Sequence, residues 1–196
     1  MEDCRSGDPH DIVAVVLDAQ LTGQVLAWIR SVRDERRVPG PAQLYAILDG
    51  ARDPRIVPRI RASGVAARCL FDGELHPSLA AAAPYLVALE PDAPFSAALI
   101  ADGWDTAWGV WLTSTASLAA LHHHFRRFLR VLDADGRPLM FRYYDPRVLA
   151  VYLPTCSAAE LEFVFGPVQD YLLRHGAMDR AFQRSAADGA LVTSTR

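Results

Sequence analysis

The sequence lacks most of the features that announce covalent chemistry. Its three cysteines, Cys4, Cys69 and Cys156, are odd in number and far apart, with no Cys-x-x-Cys pair. That argues against a disulfide framework and for a reducing compartment. No stretch reaches about 18 uninterrupted apolar residues, so no membrane span is expected. The start, Met1 to Asp11, is polar and acidic, without the basic and apolar regions of a signal peptide, and the chain reads as cytoplasmic. There is no Gly-x-Ser-x-Gly and no Walker loop, and the glycines are scattered as turn punctuation. The net charge is only -3, which argues against bulk nucleic-acid binding. The basic clusters Arg30 to Arg37 and Arg126 to Arg130 read as solvated helix faces.

What is present is an ordinary globular composition: 196 residues, 51% hydrophobic and 22% charged. A chain of that length buries a sufficient core without staples. Ile12 to Leu17 is an apolar run compatible with a strand or a helix entry. Leu21, Val25, Trp28, Ile29 and Val32 then recur at helical spacing, with Thr22 as a candidate cap and Val38-Pro39-Gly40-Pro41 as the stop. From there short strands and helices alternate. Strands are expected at Gln43 to Leu48, Val65 to Phe71, Pro84 to Leu89, Trp108 to Leu112 and Pro138 to Tyr144. Helices are expected from Asp53-Pro54, at Pro77 to Ala83, Pro94 to Ile100, Ser114 to Leu132 and Arg147 to Leu153. Another runs from Ser157 to Phe165 behind a Ser157/Glu160 capping box, and Val168 to Arg174 reads as a short amphipathic stretch. The alternation indicates an α/β fold with a mixed sheet. It divides into an N-terminal arm and helix (1–43), an α/β lobe (44–144), a smaller helical C-terminal lobe (145–176) and a mobile tail (177–196).

Candidate chemistry is sparse. His122-His123-His124 suggests a metal, but consecutive helix positions point about 100° apart, so three in a row do not converge on one ion. Cys69 in its apolar run reads as a small buried hydrophobe. Asp49, Asp53, Asp72 and Glu74 stand at strand ends and turns, where α/β enzymes place catalytic carboxylates. Turn and cap roles account for the same positions. No cofactor is expected.

The most specific stretch is Phe141-Arg142-Tyr143-Tyr144-Asp145-Pro146-Arg147, followed by Phe165-Gly166-Pro167-Val168. Read as a strand, Phe141 to Tyr144 would put Arg142 and Tyr144 on one face. Asp145 would then cap the next helix or pair with Arg142 or Arg147, stiffening a corner. Arg142, Tyr144, Asp145, Arg147 and Phe165 are therefore the residues expected to orient the elements or to meet a partner.

Taken in order, the pieces resemble a known bacterial family, the type VI secretion effector chaperones or adaptors. They are Tyr45-Ala46-Ile47-Leu48-Asp49-Gly50-Ala51, Leu70-Phe71-Asp72-Gly73, Ala83-Pro84-Tyr85-Leu86-Val87 and Trp108-Gly109-Val110-Trp111-Leu112. They continue with Leu129-Arg130-Val131-Leu132, Asp135-Gly136, Phe141 to Leu149 and Phe165 to Val168. The resemblance covers Leu44 to Tyr171. It implies a cytoplasmic, non-enzymatic adaptor that binds the N-terminal segment of a toxin effector and helps load it onto a VgrG or PAAR-tipped spike, without nucleic acid or membrane insertion. Two other readings remain: a small hydrolase-like α/β enzyme using Asp49 and Asp72, and a spike-associated structural subunit.

Overall fold

In the computed structural model, residues 9–34 and 42–196 are described. The run Leu44-Tyr45-Ala46-Ile47-Leu48 is apolar at every position, the signature of a strand covered on both faces. It lies in β1 (Gln43–Asp49), whose side chains alternate between two separate cores. Tyr45 and Ile47 point into one, Leu44, Ala46 and Leu48 into the other.

β1 is the third strand of a seven-stranded sheet with order β2-β3-β1-β4-β7-β8-β9. The other strands are β2 (Ala67–Cys69), β3 (Pro84–Leu89), β4 (Gly109–Ser114), β7 (Val168–His175), β8 (Met178–Arg184) and β9 (Leu191–Thr195). Every pairing is antiparallel, rather than mixed as the alternation of elements suggests. The α/β class itself is what the chain adopts.

One face is covered by α1 (Pro9–Asp34), α2 (Ile56–Ser63) and α4 (Pro94–Gly103). Val25, Ile29 and Val32 of α1 are buried there with Ile56, Ile60, Leu99 and Trp111. The run 12–17 continues this helix, so Thr22 sits inside it instead of capping its start. Pro9 and His10, from the polar start of the chain, are helical. The expected stop at Val38–Pro41 and Cys4 lie outside the described residues.

The other face is covered by α5 (Leu118–Arg126), α6 (Pro146–Tyr152) and α7 (Ala158–Phe165). Phe125, Tyr143, Leu149, Val164, Phe165 and Tyr171 share its core. A short helix, α3 (Pro77–Ala82), leads into β3.

Three expectations give way to tertiary pairing. The apolar stripe Leu118, Leu121, Phe125, Leu129, Leu132 does not continue as one helix. α5 ends at Arg126, and β5 (Arg130–Leu132) pairs with β6 (Pro138–Met140). The turn between them overrides the helical period. The Asp133 carboxylate accepts the Asp135 and Arg137 N–H groups at 2.9 and 2.8 Å, and Gly136 N–H donates to Asp133 O at 2.9 Å. Next, Val168 to Arg174 is strand β7. Both its faces are buried, with Tyr171 and Leu173 on one side and Leu172 on the other. Finally, residues 177–196, read as a tail, carry β8 and β9, paired from Arg180↔Thr195 to Arg184↔Leu191. The segment 145–176 holds α6, a 3-10 turn (Leu153–Thr155), α7 and then β7.

Candidate functional site

The corner is built from both ends of the family-like segment. β1 terminates at Asp49, whose N–H donates to Trp108 O at 2.8 Å, while Gly50 N–H donates to Ala83 O at 3.0 Å. Both neighbouring chain segments are thus fixed at one point. The Asp49 carboxylate accepts the Ala51 N–H at 3.1 Å and forms an ion pair with Arg142, 93 positions later. Its side chain is only 3% exposed, whereas that of Arg142 is 45% exposed. The guanidinium spans from core to solvent, which suits arginine's long stem and weakly hydrated head.

β6 stops at Met140, so Phe141 to Tyr144 is not a strand and Arg142 and Tyr144 do not share a strand face. Tyr143 and Tyr144 are both buried. Tyr143 donates its hydroxyl to Phe125 O at 2.9 Å, and its ring lies 4.5 Å from that of Phe128. The Arg142 guanidinium stands 5.9 Å from the centre of the Tyr144 ring. Burial pushes the Tyr144 phenol up, the Asp49 charge adds to this, and Arg142 opposes it.

Asp145 caps α6 and pairs with Arg147, not with Arg142. It accepts the Arg147 N–H at 3.0 Å, and the guanidinium makes two further bonds at 2.9 and 2.6 Å. Burial alone would raise the Asp145 carboxyl. The hydrogen bonds from Arg147 and the charges of Arg147 and Arg142 outweigh it and hold the group below the ordinary carboxylate value. The corner therefore contains two inner carboxylates and two outward-reaching arginines. Phe165 lies elsewhere in the core, 5.0 Å from Tyr171, and presents no surface.

The three histidines part company, as their helical spacing requires. His122 Nε2 donates to Cys69 O at 2.8 Å, and His124 Nε2 to Val164 O at 3.0 Å. His124 is buried against Gly166, where an added Cβ would lie 2.5 Å from its ring. Among the described residues no group of three His, Cys, Asp or Glu side chains is placed to hold a metal ion. Asp72 is exposed and pairs with Arg126, so it and Asp49 face different arginines. Asp53 accepts the Arg55 N–H at 2.8 Å just ahead of α2, and Arg55 holds its carboxyl down at about 2. Glu74 is exposed.

The sequence reading did not identify a groove beside the corner. Leu70, Phe71, Leu75 and Leu79 form one wall and Leu129 and Met140 the other, around a cavity of about 390 Å³. Asp72, Arg126, Arg127 and Arg130 rim it. Met140 is two residues before Arg142, so the Asp49–Arg142 pair anchors the hairpin that builds one wall. The sequence marks the hairpin rather than the groove: Leu132 and Leu139 flank an Asp-Gly turn in a segment too short to bury them, are 71% and 50% exposed, and do not line the cavity.

No helix among the described residues is long and apolar enough to cross a membrane. No curated protein and no solved structure was found to match the chain. The model of one family, described as a domain of unknown function (DUF4123), matches residues 44–162. That span takes in β1 through most of α7, including Asp49, Arg142, Tyr144, Asp145, Arg147 and both walls of the groove. The chain therefore belongs to the DUF4123 family.

Proposed function

We propose that this protein is a cytoplasmic adaptor that binds the N-terminal region of a type VI secretion effector and helps load it onto a VgrG or PAAR spike, without itself catalysing a reaction. The reading combines the family membership with the ordered resemblance of residues 44–171 to effector chaperones. The observation that carries it is the apolar groove beside the β5–β6 hairpin. Five of the nine exposed large apolar side chains among the described residues, Leu79, Val131, Leu132, Leu139 and Met140, lie on its walls or on the hairpin. Leu79 and Met140 line the groove, while Val131 and Leu139 pair on the opposite face of the hairpin. Exposed apolar surface gathered in one region marks an interaction site, and stable interfaces bury about 1,000 Å² or more.

In this reading the Asp49–Arg142 and Asp145–Arg147 pairs orient the hairpin and α6, and the half-exposed guanidiniums of Arg142 and Arg147 are available at the edge of the partner surface. Tyr144, Asp145 and Phe165 act from inside the fold. Deleting the gene is expected to remove the effector encoded beside it from the secreted fraction while leaving the spike protein there. Undiminished effector secretion would contradict the proposal. Recovery of this chain itself in the secreted fraction would favour a spike subunit instead.

A further inference from the structure

The occupant of the groove is constrained by what lines it. Its floor and walls are apolar, and its rim carries three arginines against one aspartate, in a chain whose net charge is -3. The positive excess is local. Asp72 already serves Arg126, whereas Arg130 makes no ion pair with any described residue. Arg127 lies 4.9 Å over the exposed ring of Phe163, which carries apolar surface past the rim. All six residues of β5 and β6 are exposed. A two-stranded hairpin is marginal by itself. This one is held out from the core by the Phe141 N–H to Leu129 O bond at 2.9 Å and, two residues past Met140, by the Asp49–Arg142 pair.

We propose that the groove between α3 and the β5–β6 hairpin takes a short amphipathic segment of a partner polypeptide in which acidic residues flank an apolar face. The apolar face fills the cavity between Leu79 and Met140. The carboxylates meet Arg130 and Arg127, whose planar guanidiniums favour such ligands over cationic ones. This rests on the adaptor reading only in taking a polypeptide as the ligand.

The test uses two fluorescein-labelled 14-residue peptides of identical leucine spacing, one with glutamate and one with lysine at every polar position, read by fluorescence anisotropy. The acidic peptide is expected to bind the full chain at least tenfold more tightly than the lysine peptide at 50 mM NaCl, and several-fold more weakly at 300 mM. Arg130→Glu is expected to weaken it at least fivefold, and Met140→Asp and Leu79→Asp to abolish it with the melting temperature unchanged. Equal binding of both peptides, binding of neither, or undiminished binding in these variants overturns the proposal. So does a concentration-dependent dimer lost in Met140→Asp, which would put a second copy in the groove. If the acidic peptide binds in the groove but no effector co-purifies, the adaptor reading fails and this inference stands. If an effector co-purifies equally with wild type and groove variants, the adaptor reading stands and this inference fails.

Discussion

Replacing Arg142 by alanine isolates the interaction that ties the two ends of the matched segment. The substitution leaves Asp49 with its Ala51 N–H bond at 3.1 Å and no cation. Breaking a fully buried pair costs about 3–5 kcal/mol, whereas an exposed pair contributes about 0–1 kcal/mol. Asp49 belongs to the first class and Arg142, 45% exposed, to the second. Water can therefore reach one side of the orphaned carboxylate, and the expected loss is about 1–2 kcal/mol. At about 2–4 °C per kcal/mol for a chain of this size, the melting temperature should fall by roughly 2–8 °C. Asp49→Asn keeps an acceptor for Ala51 and removes the charge, so the double variant should recover part of the loss. A coupling energy of about 1 kcal/mol is expected from chemical denaturation of the four proteins. Strict additivity, with each single variant melting within 1 °C of wild type, would refute the claim that this pair anchors the corner.

Gly109 faces β1, where an added Cβ would lie 2.0 Å from Ile47 O. Gly109→Ala should cost at least about 3 kcal/mol, and a melting temperature within 3 °C of wild type would contradict the β1–β4 register. Ser157→Ala removes one half of the α7 capping box and should cost about 1 kcal/mol in a denaturation curve. His124 gives a pH signature. Burial pushes its imidazole below its usual 6.5, the bond to Val164 opposes this, and the charges of Arg127 and His123 add to it. As pH falls through 6.5 the unfolded chain takes up a proton that the folded chain refuses, so folding stability declines, by at most about 1.4 kcal/mol per pH unit. The denaturation midpoint of wild type should thus drop from pH 7 to pH 5 more steeply than that of His124→Gln. Parallel slopes would show that His124 titrates alike in both states.

Local rules made much of the fold legible. The Ser157/Glu160 capping box, Asp145-Pro146 at the start of α6 and the continuous apolar run of β1 each sit where the sequence puts them, because each is decided within a few residues. The errors come from long-range pairing. Leu129 and Leu132 continue a helical stripe, but strand pairing with Pro138–Met140 claims the segment. Val168, Tyr171 and Leu172 fall at helical spacing, but they belong to a strand buried on both faces, with Tyr171 and Leu173 in one core and Leu172 in the other. At the site, the sequence offers Asp145 a capping role and either Arg142 or Arg147 as partner; the structure makes it both the cap and the partner of Arg147, two positions away. The Asp49–Arg142 pair was not readable, since nothing local tells Arg142 which of the two carboxylates it will reach. The groove was hidden for the same reason, its walls being drawn from four separate segments.

Direct association is the most immediate test of the adaptor account. The tagged chain, co-expressed with the effector encoded beside its gene, should co-elute with it in size-exclusion chromatography, through the effector's N-terminal segment alone. A chain that elutes by itself at micromolar concentrations, with the effector soluble and folded in the same run, would contradict it.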